Sequence, residues 1–288
     1  MQDLCGLFQK EAMCIRHTWH YHVLSMSNSN EYALVTGASQ GIGREISREF
    51  AKRKIDTLLI ALDTPELNTL QTDLTRDYGI RAEIYPTDLT DPASAIAIHS
   101  WCKTKGYRVK YLINNAGFGE SGFFENIPLL RYFQMIDLNN KAYIALTHQF
   151  LPDLKALGEG YIMNTSSMEA TLPLPYKAVY TGTKNFIYTF SLALSQEVRK
   201  YGVKVSILCP GPVLTNDEGL KRIESQGKKA RLMMLYPDQV ASLAVKHMLK
   251  GKLVINPGKM NWWITKTHRL IPTRVKMYIL EKIFRAYT

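Results

Sequence analysis

No run of about 18 apolar residues occurs in this chain, so no segment is expected to cross a bilayer as a helix. The first 25 residues do not build the apolar core of a secretory signal, because Asp3, Lys10, Glu11, Arg16 and His17 interrupt them. Cysteine is scarce. Cys5, Cys14, Cys102 and Cys209 form neither a Cys-x-x-Cys pair nor a metal-ligand spacing, and reduced thiols in a cytoplasmic protein are expected. His17, His20 and His22 lie close together, but no cysteine or carboxylate cluster completes a coordination shell, so no metal is expected. Linkers, low-complexity tracts and internal repeats are also missing, which favours one domain over two in 288 residues. Acidic residues run short in one stretch only: from Lys246 onward ten Lys and Arg face Glu281 alone, which places nine of the +11 net charge there.

With 46% apolar residues the chain can bury a large core. Residues 32–35 form a short apolar run ended by a glycine turn; residues 42–53 show helical spacing through Ile46 and Phe50, and residues 57–62 are apolar again. The pattern repeats with a helix at 65–77, a strand at 82–85, a helix at 92–104 and a strand at 111–113. The second half continues with a long helix at 129–157, a strand at 161–164, a helix at 179–200, a strand at 203–208, a helix at 238–250 and a strand at 253–255. Such alternation specifies an α/β fold, a doubly wound Rossmann-like parallel sheet with right-handed crossovers. Three parts follow: an N-terminal extension (1–30), without fixed structure or with a start assigned too far upstream; a catalytic domain (31–258); and a basic amphipathic C-terminal segment (259–288).

The turn after the first strand holds Gly37, Ser39, Gln40, Gly41, Ile42 and Gly43. Glycines there let backbone approach a pyrophosphate, and the following helix offers unpaired N–H groups and the positive end of its dipole. Asp63, beyond the second strand, is a candidate ribose ligand, although it lies a residue or two later than such a group should, and neither Gln40 nor Leu62 supplies the cation that a 2′-phosphate wants. NAD and NADP therefore both stay open. Asp88, with its neighbour Leu89, follows the third strand and is a candidate for the adenine amino group, Asp91 being the better helix cap ahead of Pro92. Asn115, Ala116 and Gly117 end the fourth strand with small residues where a dinucleotide must pass.

Reduction of a ketone needs an acid beside the nicotinamide and a donor for the developing oxyanion. Tyr180 is the candidate acid, and Lys184, four residues on along one helix face, is expected to lower its pKa from about 10. Ser167, thirteen positions before Tyr180, is the candidate oxygen donor; its neighbour Ser166 is the rival. Asn139 in the long helix is the candidate for holding a water that links Lys184 to solvent, with a local cap or kink left open for it and for Asn140.

Together these pieces, with the segment from Cys209 to Thr215, resemble the short-chain dehydrogenase/reductase superfamily over roughly residues 31–258. The resemblance implies strand order 3-2-1-4-5-6-7, an Asn139-Ser167-Tyr180-Lys184 tetrad, NAD or NADP as cofactor, a small-molecule substrate and a homodimer or homotetramer. It further implies that Tyr180 and Lys184 touch the nicotinamide end, Lys184 through its ribose, as do Pro210, Gly211, Val213 and Thr215. Residues 195–197, Asn256-Pro257-Gly258 and the basic tail are similar to bacterial reductases grouped with long-chain 3-oxoacyl and hydroxysteroid enzymes, which points to a hydrophobic ketone. A catalytically silent cofactor-binding regulatory or membrane-recruitment protein is the alternative.

Residues 216–236 turn from polar and basic to apolar at 232–235, a composition that suits either a substrate lid or an ordinary surface helix pair. In the tail, Trp262, Trp263, Tyr278, Ile279 and Ile283 interleave with cations. Packing on the core or on a second subunit, and peripheral contact with a membrane, both explain that stripe. No nucleic-acid recognition motif accompanies the charge, so nucleic acid is not an expected partner.

Overall fold

The computed structural model describes residues 30–214, 234–258 and 271–285, together with Trp263 and Thr267. Seven strands, β1 (Glu31–Thr36), β2 (Asp56–Ala61), β3 (Ala82–Pro86), β4 (Arg108–Asn114), β5 (Gly160–Thr165), β6 (Val203–Leu208) and β7 (Val254–Ile255), form one sheet in the order β3-β2-β1-β4-β5-β6-β7. All of its pairings are parallel, with Leu34 opposite Leu58 on one side of β1 and Leu112 on the other. The order matches the one that the resemblance implies.

Side chains leave a strand alternately to its two faces, so each apolar strand feeds two cores. Val35, Leu59, Ile113 and Met163 pack under α1 (Gly41–Lys52), α2 (Pro65–Tyr78) and α7 (Pro237–Leu249). Leu34, Ile60, Leu112 and Ile162 pack under α3 (Ser94–Lys105), α5 (Ala142–Ala156) and α6 (Ala178–Val198). In α2 the buried Leu67, Leu70 and Leu74 keep the spacing of a single helical stripe, and Gly79 ends the helix in the left-handed region at φ 64°.

Two local features differ from the sequence reading. Helix α3 starts at Ser94, not at residue 92, because Asp91 closes a turn by accepting the Ala93 N–H at 2.9 Å; Asp91 precedes the helix and does not cap it. The long helix read over 129–157 is broken into α4 (Leu129–Ile136), a π turn (Asp137–Lys141) and α5. The widened turn carries Asn139 and Asn140, both buried, and turns of this kind concentrate at functional sites.

A further helix, α8 (Thr273–Arg285), is tied to the segment before α6 by Tyr176, whose hydroxyl donates to Glu281 at 2.9 Å. Val275, Tyr278, Ile279 and Ile283 are exposed on it. Among the described residues no helix is long and apolar enough to cross a membrane.

Candidate active site

The β1–α1 turn is built to exclude side chains. Gly37 and Gly41 take left-handed φ values of 65° and 56°. A Cβ on Gly37 would lie 2.9 Å from Ala116 Cα, and one on Gly43 would strike the Gly37 carbonyl oxygen and sit 2.6 Å from Asn115 Nδ2. Gln40, at the N-cap of α1, gives no side-chain cap, so the first-turn N–H groups of a 12-residue helix face outward without a side-chain partner. Close backbone, a helix N-terminus and the carboxyl ends of parallel strands fit a dinucleotide pyrophosphate.

Asn115 works as a strut beside that cradle. Its N–H donates to Thr36 Oγ1 at 2.8 Å, its amide to the Thr36 carbonyl at 3.1 Å, and its Oδ1 accepts from Thr165 Oγ1 at 3.3 Å, which joins the ends of β1, β4 and β5. Asp88 is exposed, with Oδ1 accepting both the N–H and the hydroxyl of Thr90 at 2.8 Å, while Leu89 is buried. Asp63 is exposed two residues past the end of β2. Sequence reasoning did not single out Arg44, whose Nε is buried without a hydrogen-bond partner. Buried orphans have no periodic signal, so no sequence pattern points to them.

The ends of β5 and β6 meet the catalytic helix α6. Ser166 Oγ donates to the Lys184 carbonyl at 2.7 Å and is thereby used up as a backbone anchor. Ser167 Oγ accepts the Glu169 N–H at 3.0 Å and is hydrogen-bonded to Tyr180. Of the two serines, then, Ser167 stands at Tyr180. Lys184 Nζ, on a residue only 4% exposed, donates to the Thr165 carbonyl at 3.0 Å and lies 5.9 Å from the Tyr180 ring centroid.

Electrostatics at the pair differ from expectation. Burial pushes the Tyr180 phenol above its ordinary range and the Glu169 carboxylate adds to that; the Ser167 hydrogen bond opposes it. Desolvation lowers Lys184 to about 8, against a small opposing effect of Cys209. Lys184 directs its ammonium to the Thr165 carbonyl, and the expected lowering of the Tyr180 pKa by Lys184 does not figure among the influences on the phenol, of which burial is the largest.

Glycines clear the remaining space. A Cβ on Gly119 would sit 2.7 Å from Tyr180 Cδ2, and one on Gly117 would sit 2.7 Å from Asn139 Oδ1 and 3.3 Å from Lys184 Nζ. The Asn139 amide donates to the Phe118 carbonyl at 2.9 Å and to Thr183 Oγ1 at 3.1 Å, and its Oδ1 accepts the Phe118 N–H at 3.1 Å. Asn140 donates to the Thr183 carbonyl at 2.9 Å. The π turn thus clamps α6 one residue before Lys184, a kink of the sort that the sequence left open. Behind it, a buried chain from Thr147 through Asn114 and Asn164 to Ser191 joins α5, β4, β5 and α6; sequence reading did not find it.

Past β6, Pro210 is buried and accepts the Met168 N–H at 2.9 Å, while Val213 bridges to Leu235 beyond Gly211. Thr215 and nearly all of the 216–236 segment lie outside the described residues. A cavity of about 200 Å³ opens at the start of α6, lined among others by Phe123, Phe124, Ile127, Tyr176, Lys177 and Val179.

A profile of the short chain dehydrogenase family matches residues 31–224. The chain is 33% identical over 180 residues to the very-long-chain 3-oxoacyl-CoA reductase of Laccaria bicolor, covering 62% of this chain and 53% of that protein. It is 30% identical over 193 residues to the mouse (Mus musculus) 17-beta-hydroxysteroid dehydrogenase type 3, covering 66% and 62%. The chain thus spans rather more than half the length of these two relatives. Among solved structures, a short-chain dehydrogenase from Sphingobium yanoikuyae in complex with NADPH superimposes with a TM-score of 0.73 at 28% identity, over 83% of this chain and 94% of that one. Sheet order, glycine cradle and the Ser167–Tyr180–Lys184 grouping agree with that match over two thirds of the sequence, and the chain belongs to the short chain dehydrogenase family.

Proposed function

We propose that the protein is an NAD(P)-dependent oxidoreductase that moves hydride between nicotinamide and a ketone or secondary alcohol. The observation that carries this reading is the placement of Tyr180, Ser167 and Lys184 around one point at the strand ends, next to a glycine cradle that admits no side chain. When bound, the cofactor supplies or accepts the hydride. In the reductive direction Tyr180 gives its phenolic proton to the substrate oxygen, and Ser167 donates a second hydrogen bond to that oxygen. A phenol raised by burial holds its proton at neutral pH, as a donor must. Lys184, lowered to about 8, sits near working pH and restores the proton to Tyr180. Asn139, whose two amide N–H groups are used and whose Oδ1 accepts one bond, is the candidate to hold the water that links Lys184 to solvent.

Asp63, Asp88, Leu89, Gly37, Ser39, Gln40, Gly41, Ile42, Gly43, Asn115, Ala116, Gly117, Pro210, Gly211, Val213 and Thr215 are the residues that would hold the dinucleotide. Both NAD and NADP remain candidates. The aromatic and aliphatic lining of the cavity beside α6 supports a hydrophobic, lipid-like or acyl substrate. Exposed Leu129, Leu130 and Phe133 on α4 and Phe186 on α6 support a homodimer or homotetramer. For a cytoplasmic enzyme, the exposed apolar residues of α8, flanked by Arg274, Lys282 and Arg285, support contact with a membrane surface.

Titration with NADPH and NADH by nicotinamide fluorescence, then addition of a 3-oxoacyl ester, a steroid ketone and a bulky aryl ketone, tests the reaction. Binding with cofactor oxidation supports it; failure to bind either cofactor sinks it. Co-sedimentation with anionic vesicles, with and without residues 259–288, tests the surface contact, which equal binding by both forms would remove.

A further inference from the structure

Lys177 occupies a position that local helix physics disfavours. It is the N-cap of α6, where the macrodipole presents positive charge and where Ser, Thr, Asp or Asn would cap, yet it contributes no side-chain cap. Its Nζ reaches sideways instead, donating to Glu169 Oε1 at 3.0 Å. Both side chains are largely withdrawn from solvent, and Nζ lies 5.8 Å from the Tyr180 ring centroid. Glu169 approaches from a different element of the chain. It belongs to the single turn Met168–Thr171 that follows β5, its N–H donates to Ser167 Oγ, and its Oε2 is buried with no partner. A second strut, Asn185 Nδ2 to the Ala170 carbonyl at 2.7 Å, ties the same turn to α6.

We propose that Glu169 and Lys177 are a positioning pair: their ion pair locks the turn that carries Ser167 to the start of the helix that carries Tyr180, and their opposite charges set how readily Tyr180 gives up its proton. The proposal rests on the acid/base role assigned to Tyr180 above.

The physical argument has two parts. By accepting the Glu169 N–H, Ser167 Oγ leaves its own hydroxyl proton to be donated, and the Glu169 side chain can hold that turn only while Lys177 holds Glu169. The Glu169 carboxylate opposes the phenolate at Tyr180, and the Lys177 ammonium, 5.8 Å from the Tyr180 ring centroid and paired with that carboxylate, carries the opposite charge at the same place. The other groups facing Tyr180 are Lys184 on its own helix and Tyr143 on α5, with Cys209 at the end of β6 acting on Lys184; none of them bonds to Glu169 or Lys177.

The test uses the full chain with [ζ-13C]tyrosine, titrated by NMR to pH 11, Tyr180→Phe assigning the Tyr180 signal, in the Glu169→Gln, Lys177→Gln and doubly substituted proteins. The pair predicts that the onset of the Tyr180 titration moves down by about one pH unit in Glu169→Gln and that adding Lys177→Gln to that variant moves the onset back up. Where a ketone turns over, the pH profile of kcat moves the same way. A Tyr180 signal unmoved in Glu169→Gln up to pH 11, or an onset that moves further down when Lys177→Gln is added to Glu169→Gln, overturns the proposal even if thermal stability falls. The NMR measurement needs no substrate, so an enzyme that reduces no ketone refutes the catalytic reading separately.

Discussion

Lys184 should make the stability of the ligand-free protein depend on pH in a way that one substitution can isolate. Its ammonium is buried, has one hydrogen-bond acceptor in the Thr165 carbonyl, and titrates in the fold at about 8 against an ordinary 10.5. The folded protein therefore holds this proton less tightly than the unfolded chain does. Below pH 8 the full cost of burying the charge is present; between pH 8 and 10.5 the unfolded state binds more protons, so stability rises with pH; above 10.5 both states are neutral and the cost is gone. A difference of roughly 2.5 pKa units at 1.36 kcal/mol each amounts to about 3 kcal/mol. Raw stability will not show this, because buried Cys102 and Cys209, both raised to about 12, lose stability over the same range as their unfolded counterparts ionise. Lys184→Met keeps the unbranched stem and removes the titration. Urea unfolding of both proteins from pH 7 to 10.5 should show the advantage of the Met variant shrinking by about 3 kcal/mol as pH rises. A difference flat to within about 1 kcal/mol over that range would refute the argument that desolvation governs Lys184.

Tyr180→Phe should lower kcat by about a thousandfold or more while fluorescence titration shows cofactor affinity within about twofold of the parent, because the ring still packs on Gly119. Gly43→Ala drives a Cβ into the Gly37 carbonyl and Asn115, both parts of the cradle; relief opens the turn at a cost of about 1–3 kcal/mol, so cofactor Kd should rise at least about fivefold in the same titration. Gly117→Ala places its Cβ between Asn139 Oδ1 and Lys184 Nζ, and should reduce kcat more than it lowers Tm, whereas a loss in Tm alone would show that Asn139 yields without moving Lys184.

How far the sequence reaches depends on the range of the interaction. Strand ends, the glycine turn and the Tyr180/Lys184 spacing are local patterns, and a period of two in strands or four in a helix carries them directly into space. The two-core packing follows from the same alternation, since Leu34 and Val35 need only point opposite ways. The choice between Ser166 and Ser167 is not local. It turns on which hydroxyl finds the Lys184 carbonyl 18 residues away, and only the crossing of β5 with α6 decides that. The π turn at residues 137–141 is equally silent in the sequence, because Leu138 and Ala142 continue an ordinary helical apolar pattern through it.

What holds the widened turn open is tertiary: Asn139 and Asn140 take three hydrogen bonds with Phe118 and Thr183 and one more at the Thr183 carbonyl, more than a regular helix turn gives up by losing one internal bond. Buried amides so engaged would be costly if any partner were missing, which ties the loop after β4, the π turn and α6 into one unit. Lys177 gives the same lesson from the opposite direction. By propensity it is a poor N-cap, and no periodic pattern selects it; its place makes sense only beside Glu169, eight residues earlier and across the Ser167 turn. Residues that break a local rule and satisfy a distant one are where catalytic geometry is held in this fold, and composition or spacing alone does not expose them.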